Sequence, residues 1–70
     1  MAFLAVDMDG SEYIYDFEAP YREDGDDYWH PSYDKHGETY SFIELPKGSI
    51  RKLIGRELTW EDEPVEIKGE

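Results

Sequence analysis

The stretch from Phe3 to Phe17 constrains the fold of this chain more than any other. Phe3-Leu4-Ala5-Val6 is a continuous apolar run, followed by Asp7-Met8-Asp9-Gly10-Ser11 and then Glu12-Tyr13-Ile14-Tyr15-Asp16-Phe17. Asp-Gly between two apolar segments signals a hairpin, because glycine readily takes the positive φ such a turn needs. The return segment alternates, with Tyr13, Tyr15 and Phe17 on one face and Ile14 and Asp16 on the other. Two antiparallel strands therefore open the chain.

Pro20 ends the second strand, since it has no N–H for the ladder. Glu23-Asp24-Gly25-Asp26-Asp27 reads as a solvated turn. Tyr28-Trp29-His30, closed by Pro31, suggests a third, edge strand. Asp34-Lys35-His36-Gly37 is another turn signal, and Thr39 to Leu45 has high strand propensity. Tyr28 to Leu45 thus reads as a second hairpin. After Pro46, Ser49 is placed to cap a short helix. Ile50, Leu53 and Ile54 fall at i, i+3 and i+4 and form one apolar stripe, and Gly55 suits the left-handed residue that ends a helix. A helix this short is marginal alone and needs a sheet to lie on. Leu58-Thr59-Trp60 reads as extended, Glu61-Asp62-Glu63-Pro64 as a turn, and Val65-Glu66-Ile67 as a final short strand.

The expected fold is α+β: a small twisted antiparallel sheet of four to five short strands with one short helix packed on it. Residues 1-70 form a single domain, as length alone suggests. The expected core is Phe3, Ala5, Ile14, Phe42 or Ile43, Ile50, Leu53, Ile54, Leu58 and Trp60.

Charge sets the next limits. The net charge is -11, from 18 acids against 7 Lys and Arg. Acidic chains poor in apolar groups tend to be disordered, but 6 Tyr, 3 Phe and 2 Trp supply core volume here. The field opposes direct contact with nucleic acid and with anionic membranes. Lys47, Arg51, Lys52 and Arg56 form a basic segment with no acid among them. Contact of this segment with phosphate is weighed against pairing with the chain's own carboxylates, which the surrounding acids favour. These cations are expected to hold the acidic arms close.

The chain has 0 Cys, which excludes disulfides and thiolate chemistry and fits a cytoplasmic protein. No apolar run approaches the roughly 20 residues that span a bilayer. Nor does the N-terminus, which has no basic residue and an apolar run ending at Asp7, read as a signal peptide.

Site chemistry is thin. Asp7-Met8-Asp9-Gly10-Ser11-Glu12 faintly resembles part of a calcium loop. The first ligand position would be Ala5, however, and strands flank it, so an ordinary turn is the better reading. Asp24, Asp26 and Asp27 offer at most a weak cation site, and His30 and His36 lack regular ligand spacing. None of the four serines lies in a nucleophile motif, and there is no glycine-rich phosphate loop. No enzyme activity, cofactor or metal is expected.

An acidic interaction surface is the reading that remains. Glu23, Asp24, Asp26 and Asp27 lie within five residues beside Tyr28 and Trp29, and Glu61, Asp62 and Glu63 follow Glu57 in a second cluster. Acids interleaved with Tyr and Trp complement a basic protein surface or mimic the charge of a nucleic-acid backbone. The alternative is a small structural or assembly protein acting as a homo-oligomer.

Leu45-Pro46-Lys47-Gly48-Ser49-Ile50, Lys52-Leu53-Ile54-Gly55-Arg56 and Leu58 to Ile67, with the opening Phe-Leu-Ala-Val-Asp, resemble small uncharacterised acidic proteins of phages and mobile elements in gut bacteria. That resemblance implies a host-takeover or counter-defence role, such as a phage-type inhibitor, exerted by binding a host protein. It implies no activity, cofactor or site.

Overall fold

The computed structural model describes residues 1–67. Four strands form one antiparallel sheet: β1 (Ala2–Val6), β2 (Glu12–Asp16), β3 (Phe42–Leu45) and β4 (Val65–Ile67), in the order β3-β2-β1-β4. One helix, α1 (Ser49–Ile54), follows β3. The opening hairpin pairs Val6 with Glu12 through to Ala2 with Asp16. Its turn closes with Asp7 N–H donating to the Ser11 carbonyl at 2.9 Å, while Gly10 takes φ 90°.

The strand period of two sorts the core onto both faces of the sheet. Leu4 and Val6 of β1 point to one face, where Ile50 and Leu58 bury against them with Ile14, Leu45, Ile54, Val65 and Ile67 alongside. Ala5 points to the other face, where Tyr15 and Trp29 join it, flanked by Phe3, Tyr13 and Trp60. β1 is the strand buried on both sides, which explains its unbroken apolar run. The first face carries the helix. The second is covered by the long segment between β2 and β3.

Several expectations change at this level. Leu53 is 55% exposed, as are Phe42 (43%) and Ile43 (63%), so none of them belongs to the core. The helix has only 6 residues and seats Ile50 and Ile54 against the sheet, while Leu53 turns away. Leu4, Val6, Tyr15 and Trp29 fill the core instead. Tyr28-Trp29-His30 is no regular strand. It makes an isolated bridge, Tyr21 to His30, and the expected second hairpin reduces to Tyr33 paired with Thr39, with β3 beginning only at Phe42. The segment from Thr59 to Asp62 is a tight turn, closed by Asp62 N–H donating to the Thr59 carbonyl at 3.0 Å.

The helix start is also built differently. Gly48, at φ 91°, occupies the cap position and offers no side chain. Ser49 Oγ instead donates back to the Pro46 carbonyl at 2.6 Å. The orphan N–H groups are met from the sheet: Glu12 Oε2 accepts from Gly48 N–H at 2.8 Å and Oε1 from Ile50 N–H at 2.9 Å. A carboxylate at a helix start satisfies donors and offsets the positive end of the backbone dipoles. One glutamate on β2 thereby fixes where α1 begins. At the other end Gly55, at φ 80°, donates its N–H to the Arg51 carbonyl.

These contacts predict that Glu12→Ala lowers unfolding free energy by about 1–2 kcal/mol, in the range of lost helix caps and charge-assisted bonds. Ser49→Ala should cost under about 0.5 kcal/mol, as exposed substitutions do. Urea denaturation of both variants measures the difference, and equal losses would contradict the assignment of the cap to Glu12.

Candidate functional site

The acidic residues singled out from the sequence divide into two kinds. Some are committed to turns. Asp26 accepts from Glu23 N–H at 2.9 Å and lies 2.8 Å from His30 Nε2, and these contacts hold its carboxyl below the ordinary carboxylate value. His30 in turn packs against the rings of Tyr21 and Tyr28. Asp62 accepts from Thr59 N–H at 2.8 Å. Trp29 is 5% exposed, so it stands behind the surface. The others are open to solvent: Glu23, Asp24, Asp27, Tyr28, Glu61 and Glu63.

The fold brings Asp27, Tyr28 and Glu61 to the β1–β2 turn, while Glu23, Asp24 and Glu63 line neither of the two grooves there. Met8 N–H donates to the Asp27 carbonyl at 3.1 Å, and Trp29 N–H donates to Asp7 Oδ1 at 2.9 Å. Segment 27–29 is thereby laid along residues 6–8. One groove forms between Asp7, Met8 and Asp9 on one side and Asp27 and Tyr28 on the other. A second runs from Asp7 and Met8 to Glu57, Thr59, Trp60 and Glu61. The two grooves meet at Asp7 and Met8, so acids from both clusters flank a single exposed methionine. Tyr28, half exposed, supplies an aromatic wall.

The sequence marks Asp7, Met8 and Asp9 as a turn and does not show their part in this face. The available signal was the Asp-Met-Asp triplet at a hairpin tip, where side chains project into solvent. Its apposition to residues 27 and 61 depends on long-range packing and left no local mark.

Acids dominate this face, with Lys47 beside Asp9 as a countercharge. Among the described residues the ion pairs are His30–Asp26 and Arg51–Glu57, the latter 3.5 Å apart and exposed, hence worth little. The basic segment makes only weak contacts with the acids among the described residues: that exposed pair, and Lys47 near Asp9, whose carboxyl the Ser11 hydrogen bonds and then this cation hold below its ordinary value. Contrary to expectation, these contacts are not what holds the acidic arms together. Arg22 does so instead: its guanidinium lies 4.5 Å from the Trp29 ring centre and 4.6 Å from that of Trp60, and it donates to the Trp60 carbonyl. Burial pushes the Asp7 carboxyl above its ordinary value. The Trp29 N–H opposes that shift, while Asp9, Asp27 and Glu44 add to it. Among the described residues no group of three or more His, Asp or Glu is placed to hold a metal ion. Nor is any helix among them long and apolar enough to cross a membrane.

Comparison with protein-family models, with curated proteins and with solved structures finds no match to this chain.

Asp7 supplies a prediction. A carboxyl raised on folding contributes stability below its ordinary pKa, and this is lost as pH rises through the folded value. Asp7→Asn keeps the acceptor for Trp29 N–H and removes the charge, so the variant should be at least as stable as wild type at neutral pH. Asp7→Ala removes the acceptor and should cost about 1 kcal/mol. Thermal melts at pH 4 and pH 7 check both, with the Asp7→Asn advantage growing toward the higher pH.

Proposed function

We infer that this chain is a non-enzymatic binding protein whose acidic face around the β1–β2 turn engages a basic protein surface. The meeting of two acid-lined grooves at Asp7 and Met8 carries this reading. Net charge of -11 steers a cationic partner from a distance. Met8, 56% exposed, and Tyr28, 50% exposed, supply the apolar contact that charge alone lacks. Methionine adapts to varied partners, and tyrosine is enriched at the centres of protein interfaces. A cytoplasmic inhibitor of a host protein, competing where nucleic acid would bind, is the role that fits such a face.

The test is a titration of the labelled protein with a short Lys/Arg-rich peptide, followed by NMR. Shifts should concentrate at Met8, Asp27, Tyr28 and Glu61, and binding should weaken as salt rises. Combined Asp9→Asn, Asp27→Asn and Glu61→Gln substitutions should reduce affinity at least tenfold, about 1.4 kcal/mol. Shifts centred on Asp34 and Glu38, or unchanged affinity in the triple variant, would contradict the assignment.

A further inference from the structure

The outer edge of β3 is open, and its free backbone groups can be matched by the same groups of a second copy. Asp16 N–H donates to the Ser41 carbonyl at 2.9 Å. Bonded pairs recur at every second residue of an antiparallel ladder. Ile14–Ile43 and Glu12–Leu45 are therefore the bonded pairs between β2 and β3, and Phe42 and Glu44 turn their N–H and C=O groups outward. Among the described residues, no backbone hydrogen bond outside the sheet reaches either of them. The opening is bounded at both ends. Tyr40 N–H is already bonded to the Ser32 carbonyl at 3.0 Å, and Pro46 has no N–H to give.

We propose that two copies of this chain pair antiparallel along β3, about a two-fold axis through Ile43. In an isologous contact residue i of one copy meets residue j of the other and j meets i, so only the residue on the axis faces itself, and residues directly opposite must share a face. The candidate axes therefore pass through Phe42, Ile43 or Glu44. Centring on Glu44 sets two carboxylates against each other and Phe42 against the N–H-less Pro46. Centring on Phe42 sets Glu44 against Tyr40, whose N–H is taken. Centring on Ile43 sets Phe42 opposite Glu44 of the second copy, and each such pair exchanges both its backbone hydrogen bonds. The free groups of one edge are thus the partners of the same groups on the other.

The side chains agree with that register. Ile43, 63% exposed, meets Ile43 of the second copy on the helix face. A shallow apolar groove lined by Ala2, Ile14, Phe42 and Ile43 runs beside it, and pairing joins the two grooves across the axis. No acid lies directly opposite an acid. β4, the other edge, offers a shorter strand whose Val65 and Ile67 already pack into the core. A contact of 4 residues per chain is at the small end of specific interfaces, so a weak dimer is expected. The charge of -11 per chain opposes association and salt screens it, so dimerisation strengthens with salt. Binding to a basic partner has the opposite salt dependence.

Sedimentation equilibrium from micromolar to millimolar concentration, at low and high salt, tests the proposal, with amide exchange at Phe42 and Glu44 measured on the same samples. The mass should rise from 8.3 kDa toward twice that value, sooner in high salt, and both amides should gain protection with it. Ile43→Lys should remain monomeric with an unchanged melting temperature, since the site is exposed. Glu44→Pro removes an outward N–H together with the carboxylate, leaves the β2-facing groups of Ile43 and Leu45 in place, and should also abolish the dimer. A wild-type mass fixed at 8.3 kDa at millimolar concentration in high salt overturns the proposal. So does dimerisation of either folded variant like wild type, or protection of the two amides only when a basic peptide is added.

Discussion

Trp29 sits where the sheet runs out of strand. β4 pairs with β1 only as far as Leu4, so the Val6 carbonyl lies beyond its reach. The Trp29 indole takes that carbonyl at 3.0 Å, and its backbone N–H takes the Asp7 carboxylate. A buried carbonyl left without a donor costs more than the bond itself returns, so this contact decides whether the end of β1 can be buried at all. The same ring meets Trp60 edge-on at 5.8 Å between centres, and Arg22 lies over both. A sheet of short strands with a two-turn helix has little apolar surface to spare. Covering its second face with one tryptophan, held by an arginine, is how this chain buries Ala5 and Tyr15.

The candidate site follows from that seating. Trp29 brings Asp27 and Tyr28 beside the β1–β2 turn, and the Trp60 contact brings Glu61 to its other side. Long-range like-charge repulsion would spread these segments apart. The cluster of two edge-on indoles and a guanidinium opposes it with dispersion and cation–π attraction, stronger where partly shielded from water. The acidic face is thus assembled by an apolar and cationic contact behind it.

What could be read from the sequence was local. The opening hairpin, the Val65–Ile67 strand, the left-handed Gly55 and the pairing of Ile50 with Ile54 all rest on spacing of two to four residues, where periodicity speaks directly. Trp29 in a Tyr-Trp-His run between acids reads as surface or edge strand, because nothing nearby shows that Val6, 23 residues earlier, needs a donor. Glu12 as the cap of α1 spans 38 residues to Ile50, and Ser49 was the only local candidate. Arg22, an isolated cation in an acidic stretch, gave no sign that it would clasp the two tryptophans. In each case the deciding partner is distant in sequence and close in space.

Trp29, Arg22 and Trp60 are expected to act as one unit that holds the acidic segments against the sheet. A double-mutant cycle between Arg22→Ala and Trp60→Ala, measured by urea denaturation with near-ultraviolet circular dichroism, tests it most directly. The coupling energy should be at least about 1 kcal/mol, with the Trp29 dichroism band weakened in either single variant. Additive losses with that band intact in Arg22→Ala would contradict it.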